Sequence, residues 1–153
     1  MATVRMDASL RQFNKDLSDF SRKRVPAEIV LIQKRLAFSL LRRVVLLTPV
    51  DTGRARGNWQ LTIGSPATST LKGGPGVSRS GKSSRSKGDE GTANQMVEKN
   101  TKRLASLQPF QIVWLTNNMT YITMLEKGWS KQAANGMLAV ALEEEGAELR
   151  GSL

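Results

Sequence analysis

The sequence predicts an α+β protein: a small antiparallel sheet packed against a long N-terminal helix and a C-terminal helix, with a long basic flexible loop. Three observations lead there. An apolar period of three to four residues runs up to Thr48, Trp59, Leu61 and Ile63 alternate as in a strand, and residues 65–91 turn abruptly to Gly, Ser, Lys and Arg. The 153 residues suit one domain spanning 1–153, with 65–91 as a loop inside it.

Each element has its own reason. Leu10, Phe13, Leu17 and Phe20 recur at helical spacing among Arg, Lys and Asp, which predicts a short amphipathic helix over 7–23. Val25-Pro26 is expected to interrupt it, with Pro26 in the first turn of the next helix. That second helix carries the stripe Ile29, Ile32, Leu36, Leu40, Val44 and Leu47, widened by Ala37 and Leu41. Pro49 disfavours helical geometry at Thr48 and ends it. Asp51-Thr52-Gly53 supplies turn chemistry, and Asn58 to Gly64 reads as a strand with one buried face.

Beyond the basic loop, Thr92 to Leu107 predicts a third helix marked by Met96, Leu104 and Leu107. Phe110 to Leu115 is strand-like, Asn117-Asn118 makes a turn, and Tyr121 to Leu125 continues as an extended or mixed apolar run. Met137 to Leu149 closes the chain as a helix. Leu138, Ala141, Leu142 and Leu149 are expected inward, and Glu143, Glu144, Glu145 and Glu148 largely outward.

Charge and missing residue types narrow the function. The 23 Lys and Arg against 13 Asp and Glu give a formal net charge of +10, which favours an anionic partner or surface. Residues 1–60 hold 12 basic and 5 acidic side chains, whereas 106–153 hold 3 and 5, so the acidic end is C-terminal. His and Cys are absent. That removes Cys/His zinc sites, disulfides, thiol nucleophiles and any His-dependent triad. The N-terminus lacks the apolar core of a signal peptide and no apolar run approaches a bilayer span, so the expectation is a soluble, intracellularly made protein with no membrane contact.

Several motifs resolve into ordinary structure. Gly76 to Ser83 satisfies GxxxxGK[ST], but neither the preceding strand nor the following helix that phosphate binding needs is present in the sequence around it. Lys72, Arg79, Lys82, Arg85 and Lys87 could meet DNA or an acidic partner through charge alone, since the loop has no aromatic residue for base stacking. Glu126 lacks a carboxylate partner and sits beside Lys127, Asp51 stands alone in a turn, and Ser130 has no His to activate it. The sequon Asn118-Met119-Thr120 carries meaning only on a secretory route. No catalytic, metal or cofactor site is expected.

Two separated segments carry a resemblance. Thr48-Pro49-Val50-Asp51-Thr52-Gly53, followed by Arg54, Arg56, Asn58 and Trp59, resembles the TPvDTGrlr.sW signature of the neck and tail-completion (head–tail joining) proteins of tailed bacteriophages and prophages. Asn117 to Tyr121, Leu125 to Ala133 and Gly136-Met137 resemble the same family's N…YA..lE.G.SkQaP.Gm segment, with Ala134 where the family often has Pro. The resemblance implies a structural, non-enzymatic subunit at the head–tail junction of the virion. It further implies a ring-forming homo-oligomer whose partners are other neck, terminator or tail-tube proteins, with DNA in the lumen. Pro49, Asp51, Thr52, Gly53, Trp59, Tyr121, Glu126, Gly128, Ser130, Gln132 and Gly136 are its motif positions. Gly53, Gly128 and Gly136 are expected to supply special backbone geometry, and Asp51 and Glu126 to satisfy backbone donors or pair with Arg. The alternative is a nucleic-acid-binding accessory protein acting without base readout, through its basic surface.

Overall fold

The computed structural model describes residues 2–72 and 90–151. Helix α1 (Ala2–Asp19) runs through a π-turn (Phe20–Arg24) directly into α2 (Val25–Leu47). Arg56–Asn58 forms one 3₁₀ turn, followed by strand β1 (Trp59–Ile63) and helix α3 (Glu90–Thr101). Strand β2 (Val113–Asn117), the short helix α4 (Ile122–Glu126), a 3₁₀ turn at Lys131–Ala133 and helix α5 (Leu138–Gly151) complete the order. The strands pair antiparallel, with Trp59 opposite Asn117, Leu61 opposite Leu115 and Ile63 opposite Val113. This is the α+β arrangement the sequence predicts.

The proline does not interrupt the first helix. Pro26 has no N–H to return to the preceding turn, and the backbone widens there instead: the Val25 amide reaches back to the Phe20 carbonyl, five residues away. The π-turn absorbs the defect and the helix continues, so α1 and α2 form one rod. Thr48 does end it, in extended geometry (φ −68°, ψ 124°) ahead of Pro49.

Helix α2 is the spine of the body. Ala37, Leu41, Val44 and Val45 are buried against Trp59, Leu61, Ala93, Met96, Leu104 and Ala141. Each large apolar side chain fully buried there contributes roughly 1.5–3 kcal/mol. The predicted stripe supplies most of this face, with Ala37, Leu41 and Val44 in the core and Leu40 and Leu47 packed against it. Val45 joins it, Ile32 is exposed, and Leu36 and Leu40 also line an open groove. Buried Asn100 substitutes for a third strand. Its Oδ1 accepts the Leu61 amide at 3.0 Å and its Nδ2 donates to the Met96 carbonyl at 2.8 Å.

Other expectations are corrected. Tyr121 to Leu125 contributes to a helical turn, since the Met124 and Leu125 amides close on the Tyr121 carbonyl. The second strand is displaced to Val113–Asn117, yet Asn117 still turns the chain at its end, its Oδ1 accepting the Met119 amide at 3.2 Å, and the third helix spans Glu90–Thr101. Met96, Leu104 and Leu107 are nevertheless all buried. Gln60 is buried as well as its neighbours because it donates to the Ser69 carbonyl at 2.9 Å, so β1 is covered on both faces.

The start of the basic segment is packed. The Leu71 amide donates to Asn58 Oδ1 at 2.7 Å, and Asn118 Nδ2 donates to the Ala67 carbonyl at 2.8 Å. Lys72 is exposed at its end, whereas Arg79, Lys82, Arg85, Lys87 and the GxxxxGK[ST] match lie outside the described residues.

On α5, Leu142 and Leu149 face solvent and Glu145 faces inward. Arg43 explains the reversal. Its Nε meets Glu145 Oε2 at 2.9 Å, its Nη1 meets Glu144 at 2.9 Å, and its Nη2 pairs with Glu148. Burial alone would lower the arginine's pKa, but the hydrogen bonds it donates to Glu145 and Glu144, with the charges of Glu145 and Glu148, outweigh it and raise the value. Three acids on one helix converge on a cation from α2 and turn that face toward it.

Candidate functional site

Leaving α2, the chain makes a tight corner held by Thr48. The Thr48 amide and hydroxyl both return to the Val44 carbonyl, and Thr48 Oγ1 accepts Trp59 Nε1 at 2.8 Å. The Thr48 carbonyl accepts Arg56 Nη2 at 3.1 Å, which fixes the buried guanidinium beneath the turn. Gly53 adopts φ +76° and its carbonyl receives the Gly57 amide at 2.9 Å. Asn58 Nδ2 and Asn117 Nδ2 donate to the carbonyls of Arg54 and Ala55, each at 2.8 Å. These amides tie the corner to both strands.

A second corner lies against the first. Glu126, at the end of α4, reaches the start of α5, where its Oε2 accepts the amides of Met137 and Leu138 and its Oε1 accepts that of Ala139, at 2.9–3.0 Å. An anion at a helix N-terminus satisfies donors that have no partner within the helix. Burial acts to raise this carboxyl's pKa, yet the three amides overcome it and hold it below the usual carboxylate range. Glu126 thus satisfies backbone donors, as its motif position implies, and among the described residues no ion pair joins it to the neighbouring Lys127.

The glycines leave room for this closure. Gly128 and Gly136 both sit at φ +80°, a region that side chains resist. A Cβ on Gly136 would lie 2.7 Å from the Glu126 carbonyl oxygen, and one on Gly128 would strike the Ala134 carbonyl oxygen. Ser130 Oγ accepts the Gln132 amide at 3.2 Å, capping the short turn, and Gln132 Oε1 accepts the Val50 amide at 3.2 Å. That last bond joins the two corners.

Between them opens a cleft of about 460 Å³, lined by Pro49 to Ala55, Tyr121, Leu125, Ser130 and Gln132. Asp51 and Arg54 are exposed at it, and Tyr121 is half-buried. Burial pushes the Tyr121 phenol's pKa up, Arg54 opposes this and Asp51 adds to it, so the phenol stays neutral at physiological pH. Among the described residues nothing hydrogen-bonds the Asp51 carboxylate, in contrast to the backbone role expected of it. The Ser130 hydroxyl oxygen is occupied by a backbone amide.

Of the motif residues, Pro49, Asp51, Thr52, Gly53, Tyr121, Ser130 and Gln132 line the cleft, while Trp59, Glu126, Gly128 and Gly136 form the support behind it. Trp129 is 74% exposed, although it stands inside the motif segment. Sequence reasoning missed the Arg43–Glu145 pair and Asn100, whose partners are set by packing across elements and leave no local spacing signal. Among the described residues, no group of three or more Asp and Glu is placed to hold a metal ion, and no helix is long and apolar enough to cross a membrane.

No family model matches the chain, and no curated protein or solved structure matches it.

Proposed function

We propose that this chain is a non-enzymatic structural subunit of the phage neck and tail-completion type, which joins or completes the tail at the head–tail interface of a virion. One observation carries the reading. The two segments that resemble that family, far apart in sequence, close on each other through the Val50–Gln132 bond and line one cleft. Their residues have reasons to be the types they are: glycines at positive φ, a glutamate on three amides, a threonine holding a tryptophan. The signature thus describes a backbone assembly rather than a reaction centre.

The cleft chemistry is consistent with protein contact. Pro49, Val50 and Leu125 supply apolar surface, and Asp51 and Arg54 place one charge of each sign at it, which suits a polypeptide neighbour. In this reading the subunit works as a ring-forming homo-oligomer beside other neck, terminator or tail-tube proteins. The net charge of +10 then faces lumenal DNA, with Lys72, Arg79, Lys82, Arg85 and Lys87 as the phosphate or acidic-partner contacts.

Electron microscopy of lysates from a phage or prophage deleted for this gene tests the proposal. Filled heads and tails accumulating separately, or tails of faulty length, are the expected result. Normal joined particles would sink it. In that case the charge favours the accessory nucleic-acid-binding reading, whose signature is duplex binding by the purified chain that weakens steeply with salt.

A further inference from the structure

We infer that the N-terminal helix is an assembly arm that seats its apolar face in the groove between α2 and β2 of a second copy of this chain. The inference rests on the proposed structural role for its purpose, while its geometry stands separately. Beyond the π-turn that continues it, α1 has no substantial packing against the rest of the described chain. Leu10, Phe13, Leu17 and Phe20 are nevertheless 59%, 62%, 52% and 54% exposed on it. From residue 2 to residue 24 the arm extends roughly 35 Å at helical rise.

The body offers a matching site. An open groove of about 410 Å³ runs along α2, with Leu36 and Leu40 on one wall and Phe110, Ile112, Val113 and Leu115 on the other. Phe110 is 73% exposed and held at φ +65°, an unfavourable conformation for a bulky residue. Gln33 Nε2 on the Gln111 carbonyl, at 3.0 Å, ties this raised lip to α2. The arm cannot fill its own groove, because arm and groove wall belong to one continuous helix. An arm seated in the groove therefore comes from another molecule.

Charge selects a second copy in this orientation. The arm's residues 9–24 carry five basic and two acidic side chains. Ser39 and Arg43, which hold Glu145, lie three residues beyond Leu36 and Leu40 on α2. Helix α5 packs on that side of α2 and sets Glu143, Glu144, Glu145 and Glu148 against only Arg43 and Arg150, which leaves net negative charge on the helix beside the groove's α2 wall. An arm in the groove meets opposite charge, whereas two arms laid side by side bring like charges together. Four large side chains at this exposure offer roughly 400 Å² of apolar area. Two copies that exchange arms, each giving one to and receiving one from the other, then approach the roughly 800 Å² per partner of a stable interface.

The chain has no cysteine, so disulfide trapping on the full-length protein is clean. Leu17→Cys and Phe13→Cys are each mixed with Ile112→Cys and oxidised. A covalent mixed dimer forming faster than either variant's self-linked dimer is expected. Self-linked arm dimers alone would overturn the contact. Sedimentation of the unmodified protein should give a mass above the monomer, and Phe13→Glu with Phe20→Glu should reduce it to the monomer while circular dichroism still shows a cooperatively melting body, now independent of concentration. A monomeric parent protein, or a double variant that still assembles, contradicts the inference. If the monomer co-sediments instead with anionic phosphatidylglycerol vesicles, the stripe is a lipid-binding face. Normal head–tail joining in deletion lysates, with the trapped dimer intact, would sink the structural role and leave this contact standing.

Discussion

The corner built from residues 48–59 and 117–137 and the arm formed by α1 are opposites. In the corner, polar groups find partners within the chain: Thr48 serves three, Glu126 gathers three amides, and Asn58, Asn117 and Gln132 each bridge separate segments. In the arm, the apolar groups find none, and four large side chains stay more than half exposed. Folding completes the first region. On the inferred contact the second is completed by assembly, since α1 has no substantial packing against the rest of the described chain.

Substitutions should separate the two regions by size of effect. The largest loss is expected at the glycines. Gly128→Val forces a β-branched side chain into φ +80° and into the Ala134 carbonyl. It should cost at least about 3 kcal/mol, read as a fall of roughly 10 °C in melting temperature. An unchanged melt would mean that the second corner is not rigid.

Next comes Arg43→Ala, which strands the carboxylate of Glu145, itself only 7% exposed. A loss of about 3 kcal/mol is expected by urea denaturation. Pairing it with Glu145→Leu should recover most of the loss. If the double variant is no better than the single one, burial of that charge is not the cause.

A smaller effect belongs to Glu126→Gln, which weakens three amide bonds and should cost about 1–2 kcal/mol. Because the folded carboxyl is held below its ordinary value, its contribution is present at neutral pH. The contribution fades as pH falls through the carboxylate range and is gone below the depressed folded value. The variant should therefore lose less stability than the parent on acidification, as followed by melts across that range. Parallel curves would remove Glu126 from the helix start.

The smallest effect on the folded body is expected from Leu17→Ser, within about 0.5 kcal/mol, since the side chain is half exposed and α1 has no substantial packing against the body. Urea denaturation of the monomer checks it, and a larger loss would mean that the arm folds back.

The corner was legible from the sequence because its determinants are local. Pro49 ends a helix, Asp51-Thr52-Gly53 turns the chain, and glycine permits a positive φ wherever it stands. The exit from the first helix was not legible, since a π-turn depends on how one missing amide is absorbed over five residues. Periodicity placed Leu142 and Leu149 inward, yet Arg43 on a distant element set the rotation of α5 through Glu145. The inward face of α2 was largely legible, since Ala37, Leu41 and Val44 follow from its spacing, and only Val45 was added by packing on neighbouring elements. Asn118 stands in the predicted turn, closed by the Met119 amide on Asn117 Oδ1, and its side chain also anchors the chain at Ala67, which its spacing did not show.

Hydrogen exchange on the full chain, at low and at high protein concentration, tests most directly the claim that the body is finished and the arm is not. Amides of α2 and of the Glu126 corner should show the same protection at both. Those of α1 should exchange rapidly when dilute and slow markedly when concentrated, as arms find grooves. Protection of α1 that does not change with concentration would contradict the account.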